Sequence, residues 1–112
     1  MLETFDAPLT CTYVKFTSDE LTSLCPLTGQ PDFNTVEIEY IPNQKCIESK
    51  SLKRYLQSFR DKQAFVEQLA AKIAGDVQRA TEARLIRVNV TQHTRGGIVT
   101  EATSELPVPK SK

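Results

Sequence analysis

The sequence predicts an α+β fold, in which a four-stranded antiparallel sheet carries two helices on one face. Two observations support this prediction. Segments with alternating or β-branched apolar residues lie in both halves of the chain, and the region between them repeats apolar residues at helical spacing. The 112 residues are 39% hydrophobic, which is typical of one globular domain spanning residues 1–112. The predicted order is strand, strand, helix, helix, strand, strand.

Two strands are predicted before the helices. Residues 11–16 (CTYVKF) are rich in β-branched and aromatic side chains, and residues 33–41 (FNTVEIEYI) alternate apolar with polar side chains. Such alternation is typical of an antiparallel strand with one buried face. The predicted buried face carries Val36, Ile38 and Tyr40, and the opposite face carries Thr35, Glu37 and Glu39.

Two helices are predicted next, over residues 49–59 and 63–80, because apolar residues recur there at i, i+3, i+4 and i+7. Asp61 is the expected N-cap of the second helix. The predicted core residues are Leu52, Tyr55, Leu56 and Phe59 in the first helix, and Phe65, Leu69, Ile73 and Val77 in the second.

A second pair of strands is predicted after the helices. Apolar residues alternate from Arg84 to Thr94, the pattern breaks at Gly96-Gly97, and it resumes at Ile98. This order is typical of a hairpin. The ends of the chain, residues 1–8 and 105–112, have little hydrophobic pattern and are expected to be loose or packed only on a neighbour.

The composition argues against several classes of partner and site. The 14 basic residues balance the 14 acidic ones, which argues against nucleic acid or an anionic membrane as the main partner. No leader or membrane-spanning run is recognisable, so a soluble cytoplasmic protein acting on a small molecule is expected. Three widely spaced cysteines and the single His93 match neither a disulfide framework nor a metal site, so no metal is expected.

Cys25 is a candidate nucleophile at the start of the stretch CPLTGQPDF. Prolines and a glycine in this stretch predict a tight loop, which can bring the Cys25 thiol and the Asp32 carboxyl group to the same side. A thiolate can attack an electrophilic carbon while a nearby acid protonates the atom that gains charge. The alternative is an inert, buried cysteine beside an aspartate that begins a strand.

Four stretches occur along the chain in the order CPLTGQPDF, EIEYIP, ESKSLKRYLQSFR and RGGI. In order and spacing they resemble the QueF family, the NADPH-dependent 7-cyano-7-deazaguanine (preQ0) reductases of queuosine biosynthesis, from about Leu2 to Ile98. The resemblance implies the tunnelling fold, in which ββααββ units assemble into barrels with active sites at subunit interfaces. A homo-oligomer is also expected from the residues alone, because the predicted sheet leaves two edges unpaired.

The resemblance also implies a mechanism. In this family a cysteine adds to the nitrile carbon to form a thioimide, an aspartate donates a proton, and two NADPH molecules reduce the adduct to the aminomethyl product, preQ1. Cys25 is then the nucleophile and Asp32 the proton donor. Covalent attachment is chemically reasonable, because a protonated thioimide accepts hydride much better than a nitrile does.

The same motifs also imply which residues of this chain contact the substrate and the cofactor. The implied substrate contacts are Ile47, Glu48, Ser49, Val66 and Glu67, and the implied NADPH contacts are Ser49, Lys50, Lys53, Arg95 and Gly96. A carboxylate such as Glu67 can accept two hydrogen bonds from a guanine-type edge. The plainer alternatives are a solvated helix face for the lysines, a hairpin turn for Arg95-Gly96-Gly97, and a surface glutamate for Glu67.

One position departs from the family pattern. Where the family usually has His-Glu, this sequence has Val66-Glu67, so a group implied in proton handling or substrate contact is absent. Loss of one acid or base commonly costs about 10²–10⁴ in rate. Two alternatives to a reductase therefore stay open: a QueF-like amidinotransferase, in which ammonia attacks the thioimide, and a non-catalytic preQ0-binding protein. The intact ESKSLKRYL motif favours reduction.

Overall fold

The computed structural model describes residues 1–108 and confirms the α+β prediction. Its elements in chain order are β1 (Thr4–Asp6), β2 (Val14–Leu24), β3 (Pro31–Ile41), β4 (Lys45–Ile47), α1 (Ser49–Gln57), α2 (Val66–Thr81), β5 (Leu85–Arg95) and β6 (Ile98–Leu106). The predicted order ββααββ corresponds to β2, β3, α1, α2, β5 and β6. The short strands β1 and β4 form an additional two-stranded sheet that the sequence does not predict.

The main sheet is antiparallel and has the strand order β2-β3-β5-β6, so β2 and β6 are its edges. Its buried face includes Val36, Ile38 and Tyr40, each at most 1% exposed, as the alternation predicts. Both helices pack on this face and share one hydrophobic core with it. The opposite face is polar and carries ion pairs such as Arg87 to Glu39 at 3.2 Å.

The prediction of a first strand at residues 11–16 is wrong at both ends, because β2 begins at Val14 and continues to Leu24. The longer strand contains a bulge between Ser18 and Leu21, where β2 has one residue more than β3. The extra residue keeps Leu21, which is fully buried, on the core face of the sheet. Because β2 ends at Leu24, the loop that begins at residue 25 follows it directly.

Both helices are confirmed, but the predicted cap of the second is wrong. The N-cap of α2 is Phe65 rather than Asp61, and the Phe65 N–H donates to the side-chain oxygen of Gln68 at 3.0 Å. Phe65 is consequently 46% exposed and lies outside the core that its spacing predicts. Within residues 1–108 no helix combines the length and the hydropathy that crossing a membrane requires.

The prediction of loose ends is wrong for residues 4–6 and 105–106. Thr4 pairs with Ile47 in the β1–β4 sheet, and Leu106 pairs with Ile86 at the end of β6. These pairings use backbone groups, which is why the weak hydrophobic pattern of both ends does not reveal them. Residues 109–112, part of the predicted loose end, lie outside the described residues.

Candidate active site

Cys25 begins a tight turn between β2 and β3, as the sequence predicts. Two backbone hydrogen bonds close the turn: the Cys25 N–H donates to the Gln30 carbonyl oxygen, and the Gly29 N–H donates to the Cys25 carbonyl oxygen, each at 2.8 Å. Gly29 has φ of 73°, a left-handed conformation that is costly for residues with a side chain. The turn therefore presents the partly exposed Cys25 on a well-defined backbone.

The turn also influences the pKa of the Cys25 thiol. The Thr28 hydroxyl, followed by the backbone N–H groups of Thr28 and Leu27, holds the pKa of Cys25 below its ordinary value. Burial and the charge of Asp32 act in the opposite direction to a smaller extent. A lower pKa increases the thiolate fraction, which is the nucleophilic form. Cys46 is different: it is 4% exposed, and burial raises its pKa.

Asp32 lies at the start of β3 and is 6% exposed. It pairs across the strands with Ser23, whose hydroxyl accepts a hydrogen bond of 3.4 Å from the buried Asn34 side chain. The Asp32 charge is close enough to the Cys25 sulfur to raise its pKa. A thiol and a carboxylate from the two ends of one turn therefore share one small region, in agreement with the sequence prediction.

Arg95 joins this region from the end of β5. Its guanidinium group forms an ion pair with Asp32, and it donates to the Pro31 carbonyl oxygen at 2.9 Å and to the Gln30 side-chain oxygen at 2.6 Å. A bulge between Gln92 and Arg95 interrupts the pairing of β5 with β6. Such an extra residue redirects the side chains that follow it, and here the next paired side chain contacts Asp32.

Gly96 and Gly97 form the turn between β5 and β6, and the predicted hairpin is confirmed. Their φ angles are 61° and 82°, as a two-residue turn with two positive φ values requires. The hairpin alone accounts for both glycines. A cofactor contact by Gly96 therefore stays a prediction.

A cavity of about 690 Å³ lies between α1 and the strands β2 and β3. Ser49 and Lys53, two predicted cofactor contacts, line it together with the carboxylate residues Asp19 and Glu20 of the β2 bulge. The remaining lining residues are Phe16, Thr17, Ser18, Thr35, Val36, Ile38, Leu52 and Leu56. Because β3 contributes both Asp32 and Thr35, the cavity begins about 10 Å along that strand from Asp32, at roughly 3.3 Å per residue.

Glu48 caps α1. Its carboxylate oxygens accept hydrogen bonds from the N–H groups of Lys50 and Ser51, each at 2.8 Å, and these bonds hold the pKa of Glu48 below its ordinary value. A substrate contact by Glu48 would have to share these oxygens. Since Glu48 fills the helix N-terminus, the exposed lysine side chains of α1 are the donors that this end offers to a phosphate.

The other predicted substrate contacts differ in position. Ile47 and Val66 belong to the core, at 3% and 5% exposure, so a ligand could reach only their backbone atoms. Glu67 is exposed on the first turn of α2. Within residues 1–108 no hydrogen bond or ion pair joins Glu67 to Cys25, Asp32 or Arg95. The segment before α2 nevertheless lies beside Cys25, because the Leu24 backbone donates to the Lys62 carbonyl oxygen at 2.9 Å and accepts from the Ala64 N–H at 3.1 Å.

Thr28 and Gln30 belong to the Cys25 region but are not among the predicted site residues. The sequence contains a signal for Thr28, because hydroxyl residues in proline- and glycine-rich turns commonly bond to nearby groups. Gln30 has no local signal, since its side-chain partner Arg95 is 65 positions away.

Comparison with known proteins identifies relatives over most of the chain. The sequence profile of the family described as "QueF-like protein" matches residues 31–110. A protein of Alkalilimnicola ehrlichii named NADPH-dependent 7-cyano-7-deazaguanine reductase is 46% identical over 97 residues, which cover 81% of this chain and 75% of the relative. A protein of Nitrosococcus oceani with the same name is 42% identical over 110 residues, which cover 96% of this chain and 85% of the relative.

A solved structure has the same fold. The archaeosine synthase QueF-Like in its apo form matches this chain with a TM-score of 0.81 at 25% sequence identity. The match covers 88% of this chain and 97% of that protein. The tunnelling-fold prediction for the single chain is therefore confirmed.

Proposed function

The chain belongs to the QueF family, and we propose that it reduces 7-cyano-7-deazaguanine (preQ0) to 7-aminomethyl-7-deazaguanine (preQ1) with NADPH in queuosine biosynthesis. Its curated relatives carry the name of this reductase at 42–46% identity. The observation that carries the proposal is the region formed by Cys25, Asp32 and Thr28. It supplies a nucleophile with a lowered pKa beside a carboxyl group.

Cys25 is proposed to attack the nitrile carbon. A carbon–sulfur bond forms, the carbon–nitrogen triple bond becomes a double bond, and the released electron pair goes to the nitrogen, which takes up a proton. The Thr28 hydroxyl supports this step by increasing the thiolate fraction of Cys25. The product is a thioimide, whose carbon is more electrophilic than that of the nitrile.

Asp32 is proposed to carry the proton of this step. Its carboxylate is paired with Arg95 in the ligand-free protein, so it begins as a proton acceptor. It can receive the proton that Cys25 loses and pass it to the nitrile nitrogen, after which Asp32 is a carboxylate again. This sequence of transfers needs no external acid, and it places Asp32 between the sulfur and the nitrogen.

Ser49, Lys50, Lys53, Arg95 and Gly96 are the proposed cofactor contacts. Lysine side chains can neutralise phosphate groups, and Ser49 and Lys53 line a cavity large enough for part of a dinucleotide. Bound NADPH supplies hydride, and two equivalents account for the four electrons that convert a nitrile to a primary amine. Because Asp19 and Glu20 would repel phosphates, the phosphates are expected on the side of the α1 lysines.

Glu67 is proposed to hold the deazaguanine ring through two hydrogen bonds, with Ile47, Glu48, Ser49 and Val66 as neighbouring contacts. A homo-oligomer with active sites at subunit interfaces is part of the proposal, as the family resemblance implies. The unpaired edges β2 and β6 are the surfaces through which copies would join. The cytoplasm is the proposed location, because the three cysteines of the chain are free and the cytoplasm is a reducing compartment.

The proposal is tested by mixing the full chain with preQ0 and measuring its intact mass, then adding NADPH and following its absorbance together with preQ1. We expect a covalent adduct first and NADPH consumption second. An adduct that persists in Cys25→Ala would contradict the covalent step. Cys46→Ser is the matched control and should form the adduct normally, because Cys46 is buried in the β1–β4 sheet.

One alternative from the sequence is an amidinotransferase that adds ammonia to the same thioimide, and the match to the archaeosine synthase QueF-Like does not support it better than the reductase. The adduct would then react with ammonium salts and not with NADPH. The second step of the experiment distinguishes the two reactions. An adduct that reacts with neither compound would indicate a preQ0-binding protein without turnover.

A further inference from the structure

Arg95 makes contacts within the chain that binding a cofactor phosphate would not require. Its guanidinium group is bound to three consecutive residues, Gln30, Pro31 and Asp32. Asp32 is the buried partner, with 7% of its side chain exposed, whereas the Arg95 side chain is 38% exposed. A charged side chain that enters from another strand and binds one segment at three points restricts that segment strongly.

The bound segment is the end of the Cys25 turn. The carbonyl oxygen of Gln30 accepts the Cys25 N–H at 2.8 Å, and the side-chain oxygen of the same residue accepts from Arg95 at 2.6 Å. Arg95 is thus connected to both reacting residues, to the Asp32 carboxylate directly and to the Cys25 backbone through Gln30. The β5 bulge that directs Arg95 toward this turn makes the connection possible.

We infer that Arg95 is a positioning residue for the nitrile addition, which it serves by fixing Asp32 against the Cys25 turn before any cofactor binds. The inference rests on the proposed function. It differs from the cofactor role carried over from the family, because it assigns Arg95 to a step that uses no NADPH. In that step Asp32 has to lie within hydrogen-bond distance of the sulfur first and of the nitrile nitrogen next, and a displacement of about 1 Å can lower such a rate about 10²-fold.

The experiment measures adduct formation in the full chain with preQ0 alone, by rapid quenching and intact mass at several preQ0 concentrations. This separates the dissociation constant of preQ0 from the rate constant of addition. Arg95→Met is expected to lower the rate constant about 10²-fold and to leave the dissociation constant within about twofold. Arg95→Lys should recover part of the rate, since an ammonium group can still pair with Asp32 but cannot span all three acceptors.

Arg87→Met is the matched control. Arg87 lies on the same strand and is also ion-paired, to Glu39 and Glu105, on the sheet face opposite the core. Its replacement should leave adduct formation unchanged. Gln30→Leu is a second test that keeps both charges and removes one anchor, and it should slow addition by about three- to tenfold, less than Arg95→Met does.

Adduct formation by Arg95→Met at the unchanged rate, with loss of NADPH turnover alone, would overturn the inference and leave Arg95 as a cofactor contact. If Arg95→Met does not fold, as judged by circular dichroism, Arg95→Lys and Gln30→Leu decide, and unchanged rates in both overturn it. Failure of the proposed function has a different result, because then the unaltered protein forms no adduct.

Discussion

Thr28 lies three positions after Cys25 in the same turn, and its hydroxyl group is the largest influence that lowers the pKa of the Cys25 thiol. The backbone N–H groups of Thr28 and Leu27 add to the effect. A turn of six residues, 25–30, therefore both exposes the nucleophile and stabilises its ionised form.

We expect Thr28→Val to move the pH midpoint of Cys25 alkylation by iodoacetamide to higher pH. Valine keeps the volume of threonine but removes the hydroxyl, so less thiolate is present at neutral pH and alkylation there is slower. Thr28→Ser keeps the donor and should behave like the unaltered protein. Peptide mass mapping distinguishes Cys25 from the partly exposed Cys11. An unchanged midpoint in Thr28→Val would contradict the role of the hydroxyl.

Gly29→Ala should destabilise the protein by about 1–2 kcal/mol, because residue 29 has a left-handed φ of 73° while a Cβ there would meet no atom within 4 Å. The cost is thus one of backbone conformation alone. Gly75→Ala is the matched control: it lies inside α2, a Cβ there would approach only the flexible end of Arg79 at 3.6 Å, and it should stabilise by up to about 1 kcal/mol. Urea unfolding curves measure both changes, and equal signs would contradict this explanation.

The sequence predicts the parts of the fold that bury one regular face. β3 alternates from Thr35 to Tyr40 and both helices keep apolar residues at helical spacing, because each packs one side against the same core. β2 is underestimated, since the polar run TSDE covers a bulge that only pairing with β3 reveals. β1 and β4 have three residues each, which is too short for a period to be visible.

The site also has parts that the sequence predicts and parts that it does not. The proximity of Cys25 and Asp32 depends on one short turn, so proline and glycine predict it. The contact between Asp32 and Arg95 joins residues 63 positions apart and depends on the bulge in β5. No local pattern contains that information, and the sequence offers only a cofactor contact or a hairpin turn for an arginine before two glycines.

Val66→His tests the position at which the chain departs from the family pattern. Val66 is 5% exposed and belongs to the hydrophobic core, so an imidazole there loses apolar packing and its nitrogens lack water. We expect a loss of about 1–3 kcal/mol in stability and no increase in the rate of preQ1 formation. Val66→Ala, which removes packing without adding a polar group, is the control for stability. A faster reaction in Val66→His would show that this position faces the ligand in the assembled enzyme.

The proposal that active sites lie at subunit interfaces leads to a prediction about subunits. If each site combines Cys25 of one chain with Glu67 of its neighbour, Cys25→Ala and Glu67→Ala each disable every site of a uniform oligomer. A mixed oligomer is different, because a Glu67→Ala chain still offers Cys25 and a Cys25→Ala chain still offers Glu67. Random mixing in equal amounts should restore about a quarter of the sites, since each half of a site is intact in half of the chains.

Co-expression of the two variants with different tags, followed by purification through both tags, yields the mixed oligomer. After addition of preQ0, intact mass should show the adduct only on the chain that carries Glu67→Ala, because that chain supplies the thiol. The control pairs Cys25→Ala with a chain carrying both substitutions, and it should give no adduct. If the mixed oligomer also forms none while the unaltered protein does, Cys25 and Glu67 act within one chain.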